Sequence, residues 1–194
     1  MDFVRQLDIL DPEKITDLVT IIGAGGIGSP TALLLVKMGF RKIKIFDDDT
    51  IENHNLPNQI FRNMDIGKKK VQAIKEICEE FSKCEVNIIA DKFTNQKLLG
   101  LVVSGVDSME ERKQIWPNIK MNPFVKLYID GRMGGEIGII KVINPVNTFD
   151  VQNYEKSLHS DEEAVEVPCT ARSILYNTFS MASLIGGLFS LVSK

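Results

Sequence analysis

Two rhythms of apolar and polar positions run along this chain of 194 residues. Val19-Thr20-Ile21-Ile22 and Lys42-Ile43-Lys44-Ile45-Phe46 are short, β-branched runs, and each predicts a strand. Between them, residues 28–38 place Ala32, Leu33, Leu35 and Val36 at helical spacing and end at Gly39, a natural C′ residue. Ile66-Gly67-Lys68-Lys69-Lys70 opens a second helix, with Val71, Ile74, Ile77, Cys78 and Phe81 on its inner face. Residues 85–90, 98–103 and 124–129 read as further strands. The last closes on the glycine-rich Asp130-Gly131-Arg132-Met133-Gly134-Gly135, and residues 136–143 form an additional strand of antiparallel sense. A helix begins at Ser104-Gly105-Val106-Asp107-Ser108, with Ile115, Trp116 and Ile119 packing it onto the sheet. Asp11-Pro12-Glu13-Lys14 reads as an N-cap and first turn, which predicts a short helix before the first strand.

Strand–helix alternation of this kind predicts an α/β fold: a Rossmann-like, doubly wound, mostly parallel sheet with helices on both faces and an antiparallel extension. Residues 1–194 are expected to form a single domain. An acidic crossover at about 147–168, with a short helix near 151–158, is expected to be mobile, and a C-terminal helix should follow at about 169–192. Polar loops such as Thr50-Ile51-Glu52-Asn53-His54-Asn55-Leu56-Pro57-Asn58-Gln59 lack either rhythm. Asp47, Asp49, Asp107 and Asp130 fall at predicted strand C-termini, where open α/β sheets bind ligands.

Composition narrows the picture in three ways. A net charge of -3 implies no broad basic surface, so nucleic acid is not an expected partner. Three cysteines without a C-x-x-C pair argue against a disulfide framework or a zinc site, and a cytoplasmic home is expected. Residues 174–192 approach the length of a bilayer span. Asn177, Thr178, Ser180, Ser183 and Gly186-Gly187 interrupt them, which favours a buried C-terminal helix or a dimer face over a membrane.

Candidate chemistry starts at Gly23, Gly25 and Gly28, spaced G-x-G-x-x-G between a strand and a helix. Glycine permits a tight turn and close approach to a phosphate, which meets the free N–H groups of the helix N-terminus. The alternative is a purely structural turn. Asp47, about 20 positions on, stands where a ribose hydroxyl is met. Asp49, Asn55, Gln59 and Lys70 add carboxylate, amide and lysine groups. Such a set suits a triphosphate with Mg²⁺, which hard oxygen ligands hold, better than a nicotinamide dinucleotide.

The order GAGGIGS, FDDDTIExxNL, Q, GxxK and an Asp at the fourth strand end resembles the ThiF/MoeB/HesA family, the adenylating core shared with ubiquitin-activating enzymes. The resemblance spans nearly the whole chain, and it implies ATP and Mg²⁺ as cofactors. It assigns Asp47 to the ribose, Gly25 and Gly26 to the phosphates, Asp49 and Asn55 to the phosphate and Mg²⁺ region, Lys70 to phosphate, and Asp107 to Mg²⁺. It also likens Phe3-Val4-Arg5-Gln6 to an element whose arginine reaches the partner subunit's ATP, so Arg5 would act in trans within a homodimer. The implied substrate is the C-terminal carboxylate of a ubiquitin-like, β-grasp protein, and a conjugating enzyme is a further implied partner.

Two features depart from the family pattern. Asn58 stands where the family usually carries an arginine, so a phosphate contact is missing unless Arg62 or Lys69 supplies it. The family's zinc-binding cysteine pairs are also absent. Cys169, in Pro168-Cys169-Thr170-Ala171-Arg172, resembles the thioester-forming cysteine of compact activating enzymes, and a helix start and Arg172 would lower its pKa. The alternative reading is a small helix-cap residue. Arg132 either borders the entry for the substrate tail or forms a structural ion pair; Cys78 reads as core, and His54 and His159 as surface. Alternative functions are a sulfur-carrier or peptide adenylating enzyme, an NAD-dependent oxidoreductase, and a weakened partner subunit.

Overall fold

The computed structural model describes residues 1–158 and 173–193. Six strands form one sheet: β1 (Val19–Ile22), β2 (Lys42–Phe46), β3 (Glu85–Ile89), β4 (Gly100–Ser104), β5 (Val125–Gly134) and β6 (Ile137–Ile143). Their spatial order is β3-β2-β1-β4-β5-β6. The first five pair in parallel, and β6 returns antiparallel to β5. The α-helices among the described residues are α1 (Gly28–Met38), α2 (Lys70–Phe81), α3 (Met109–Ile119), α4 (Thr148–Glu155) and α5 (Leu175–Val192). This is the expected Rossmann-like, doubly wound sheet with its antiparallel extension.

Successive residues of a strand face opposite sides, and β1 divides the interior accordingly. Ile21 joins Ile43, Ile45 and Val103 in a core with Leu35, Val36, Ile74, Ile185 and Phe189, from α1, α2 and α5. Ile22 joins Phe46, Val102 and Tyr128 in a second core with Ile115, Trp116, Ile119, Val151 and Tyr154, from α3 and α4. Every residue of β1 is buried, as a strand covered on both faces requires.

Several boundaries differ from the sequence expectation. Residues 11–14 form hydrogen-bonded turns, not a helix. Pro12 instead packs against Gly39. The second helix starts at Lys70, not at Ile66, because residues 67–70 bond back to the loop after β2. Gly67 N–H reaches the Ile51 carbonyl, Ile51 N–H the Lys68 carbonyl, and Lys70 N–H the Asp49 carbonyl. Leu33 is only half-buried. Phe81 is 43% exposed and lies under the Lys37 ammonium, 3.8 Å from its ring centroid.

The glycine-rich stretch 130–134 is strand rather than loop. It pairs with β6 in continuous register from Tyr128↔Ile143 to Gly134↔Ile137, and cross-strand pairing overrides the turn-like composition. The crossover helix begins at Thr148, capped by the Asn147 side chain, which accepts from the Phe149 and Asp150 amides. α5 begins at Leu175 rather than near 169. It is long and apolar enough to cross a membrane. One face nevertheless packs on α1, where Gly186 leaves room for Leu34 and Met38.

Candidate functional site

The strand order reverses at β1, which lies between β2 and β4, and a crevice opens beyond the strand C-termini at such a point. A cavity of about 330 Å³ occupies it, lined by residues from the ends of β1, β2 and β4, from the start of α3, and by Lys70. Ile22, Phe46, Phe93 and Ile115 supply an apolar floor, with Phe46 and Phe93 edge to face at 5.3 Å. Gly23, Gly25, Asp47, Asp49, Lys70 and Asp107 line the same cavity, so six of the predicted site residues converge there.

Asp47 ends β2 with its carboxylate held by two backbone donors, Ala24 N–H at 2.7 Å and Asp49 N–H at 2.8 Å. Burial raises its pKa above the usual carboxylate value, although those two bonds and the charge of Lys70 pull the other way. A carboxylate fixed at the end of the second strand presents a rigid acceptor to a sugar hydroxyl. Lys70 has a nearly buried side chain, and its Nζ sits 2.7 Å from Asp49 Oδ2. The Asp49 carboxylate is mostly exposed and faces the cavity.

The glycines have separate jobs. Gly23 takes φ +92°, and a Cβ there would stand 2.8 Å from the Gly105 carbonyl oxygen, so the turn admits no side chain. A Cβ at Gly28 would collide with the Gly23 carbonyl, which makes Gly28 a packing residue between helix and turn. Gly26 lies under Met133 and Thr178, 3.1 and 3.2 Å from where its Cβ would be. Gly25 is different: no atom lies within 4 Å of its Cβ position, and it borders the cavity. Nothing in the packing demands glycine at 25, whereas close approach of a ligand to the backbone would.

Other predicted residues lie outside the cavity lining. Asn55 is buried as a turn cap, its Oδ1 accepting from Glu52 N–H at 2.9 Å. Gln59 has a buried Oε1 without a partner among the described residues. Arg5 is exposed. Its neighbour Gln6 donates to the Met38 carbonyl at 2.8 Å, which places this segment at the end of α1 remote from the glycine turn. Asp130 is not at a strand end but inside β5, fully buried between Arg112 and Arg132. Arg132 therefore forms the structural ion pair. Asn58 donates to Ser173 Oγ. Arg62 is committed to Asp65 and Glu80, while Lys69 donates to the Asp48 carbonyl beside the cavity.

Cys169 and His159 fall outside the described residues. Cys78 is core as expected, its thiol pushed up to about 12 by burial. Among the described residues no three His, Cys, Asp or Glu side chains converge as a metal cage. Sequence reasoning missed Lys92, Phe93, Glu111 and Gln114, which complete the lining. Lys92 and Phe93 follow β3, so the rule that ligands meet strand C-termini pointed to them. The Lys92 ammonium sits 2.9 Å from Glu111, a bond that raises its pKa.

Together these parts define a Rossmann-like α/β protein with open space beside its glycine turn. The chain belongs to the ThiF family, whose model matches residues 6–188. It is 32% identical over 168 residues to ubiquitin-like modifier-activating enzyme 5 of Branchiostoma floridae, covering 75% of this chain and 41% of that protein. It is 38% identical over 104 residues to the NEDD8-activating enzyme E1 catalytic subunit of Dictyostelium discoideum, covering 50% and 24%. The chain thus spans less than half the length of these curated relatives. In fold it resembles E. coli MccB solved with ATP (TM-score 0.70, 18% identity, covering 94% of this chain and 58% of that one). It also resembles E. coli tRNA N6-threonylcarbamoyladenosine dehydratase with ATP (TM-score 0.73, 16% identity, covering 98% and 93%).

Proposed function

We propose that this chain is an adenylating core that binds ATP in the cavity and activates the C-terminal carboxylate of a ubiquitin-like protein. The observation that carries the reading is the polarity of the cavity. A buried, backbone-held Asp47 stands on one wall, a Lys70–Asp49 pair on another, and an exposed Asp107 without a hydrogen bond or ion pair among the described residues on a third. The curated relatives, activating enzymes by name, point the same way.

Asp47 would take the ribose hydroxyls and the floor of Phe46, Phe93 and Ile115 the base, while the open side of Gly25 admits the phosphates. Lys70 would exchange Asp49 for phosphate oxygens. Asp107, a hard-oxygen donor without a bonded partner among the described residues, fits a Mg²⁺ and would hold it; the ion would supply charge neutralisation. A C-terminal carboxylate, of pKa roughly 3.5, is ionised at neutral pH and needs no general base. Its oxygen attacks the α-phosphorus, the bond to the bridging oxygen breaks, and pyrophosphate leaves with an acyl-adenylate behind. Positioning and charge neutralisation are the protein's contribution. Arg5, too remote for its own cavity, would serve the site of a second copy, and Cys169 would take the acyl group as a thioester.

Pyrophosphate exchange tests the reading. Purified protein should exchange labelled pyrophosphate into ATP only when a β-grasp carrier ending in a free carboxylate is present, and Asp107→Ala should lower the rate about a hundredfold or more. Exchange driven equally well by a short peptide would move the substrate to the peptide class. Tighter binding of NAD than ATP in a calorimeter would overturn the proposal. A carrier adduct removed by dithiothreitol and absent in Cys169→Ala would establish the thioester step.

A further inference from the structure

Beneath the loop that carries Asp107 lies a buried polar cluster that the adenylation reading does not use. Arg112, on the first turns of α3, is almost wholly buried, and its guanidinium spends its donors in three directions. Nε meets Asp130 Oδ1 at 3.0 Å. Nη1 meets the Ser108 carbonyl at 3.0 Å, and Nη2 the Val106 carbonyl at 2.6 Å and the Gly131 carbonyl at 3.2 Å. Val106 and Ser108 are the residues on either side of Asp107, so one rigid cation holds the backbone on both sides of the exposed carboxylate. Asp130, in turn, is saturated: it accepts from Ser104 Oγ, Arg132 Nε and Tyr154 OH as well. Tyr128 OH joins Ser104 and Tyr154 into the same cluster, and burial first, then the Asp130 charge, raises its pKa, so it stays a neutral hydrogen-bonding group.

We infer that Arg112, oriented by Asp130, is a positioning residue for Asp107: it fixes the loop so that the carboxylate projects into the cavity already aimed. This rests on the proposed role of Asp107 as the Mg²⁺ ligand. A group that orients a metal ligand through its neighbours is felt as metal affinity. A planar fork matched to two carbonyls loses that function when it becomes an ammonium of similar charge.

The test is calorimetric titration of ATP at graded Mg²⁺, beside thermal unfolding without ligand, on wild type, Asp107→Ala, Arg112→Lys, the double variant and Asp130→Asn. Arg112→Lys should raise the Mg²⁺ concentration for half-maximal ATP affinity about tenfold. That shift should vanish on the Asp107→Ala background, because the two residues act as one unit. Asp130→Asn keeps an oxygen for Arg112 and should give a smaller shift of the same sign. It decides the matter if Arg112→Lys does not fold. An unchanged Mg²⁺ dependence in a folded Arg112→Lys, or an equal shift on both backgrounds, overturns the inference. If Asp107→Ala itself leaves the Mg²⁺ dependence of the wild type intact, the functional reading fails instead, and the inference with it.

Discussion

Asp107 and Asp130 belong to neighbouring strands of the sheet, β4 with its following loop and β5, yet the two carboxylates live opposite lives. Asp130 is fully buried and accepts from two arginines, a serine and a tyrosine. Asp107 is exposed at the cavity, with no bonded partner among the described residues. A carboxylate is available to a ligand only to the extent that the protein has left its lone pairs unfilled, and the two sites stand at the extremes. The saturated group serves the open one, through Arg112.

The comparison predicts opposite phenotypes for one chemical change. Asp130→Ala leaves the buried Arg112 and the part-buried Arg132 without their partner and should cost about 3–5 kcal/mol in denaturant unfolding. Asp107→Ala should stay within about 0.5 kcal/mol of wild type while losing pyrophosphate exchange. A stable Asp130→Ala would break the distinction.

The glycine turn carries a second pair of the same kind. Gly28→Ala drives a Cβ into the Gly23 carbonyl and should cost about 1–3 kcal/mol. Gly25→Ala meets no protein atom, so the melting temperature should hold while ATP affinity falls. Loss of stability without loss of affinity at 25 would show that the position serves the fold rather than the nucleotide.

A smaller effect concerns Asp65, a third carboxylate, buried in the loop before α2. Burial works against its charge, but Arg62 and Lys68 outweigh it and hold the pKa at about 2. A folded-state pKa below the unfolded value gives stability that is present above about pH 4 and lost as pH falls through about 2, of order 1–2 kcal/mol. Asp65→Asn should flatten that acid limb in urea titrations from pH 5 to 2. Asp47, whose pKa burial raises, should contribute no limb of this sense.

Much of the site was legible in the sequence because local chemistry dictates it. A β-branched strand leading into G-x-G-x-x-G, an acidic end to the next strand and a helix-start lysine each follow from nearest neighbours, and Gly23, Gly25, Asp47, Asp49, Lys70 and Asp107 do converge. Asn55 and Gln59 share the same stretch but serve a turn and an interior position. Polar residue type alone does not tell a ligand contact from a cap.

Periodicity and turn chemistry, which act within a few residues, thus determined the order of strands and helices, the glycine turn and the family resemblance. Only the tertiary structure decided that the stretch 130–134 is strand, because β6 pairs with it. It alone brought Lys92 and Phe93 to the cavity, and it alone joined Arg112 on α3 to Asp130 on β5 beneath Asp107. Those contacts connect residues far apart in the chain. Whether a buried charge is satisfied depends on which elements meet across the sheet, and no local pattern encodes that.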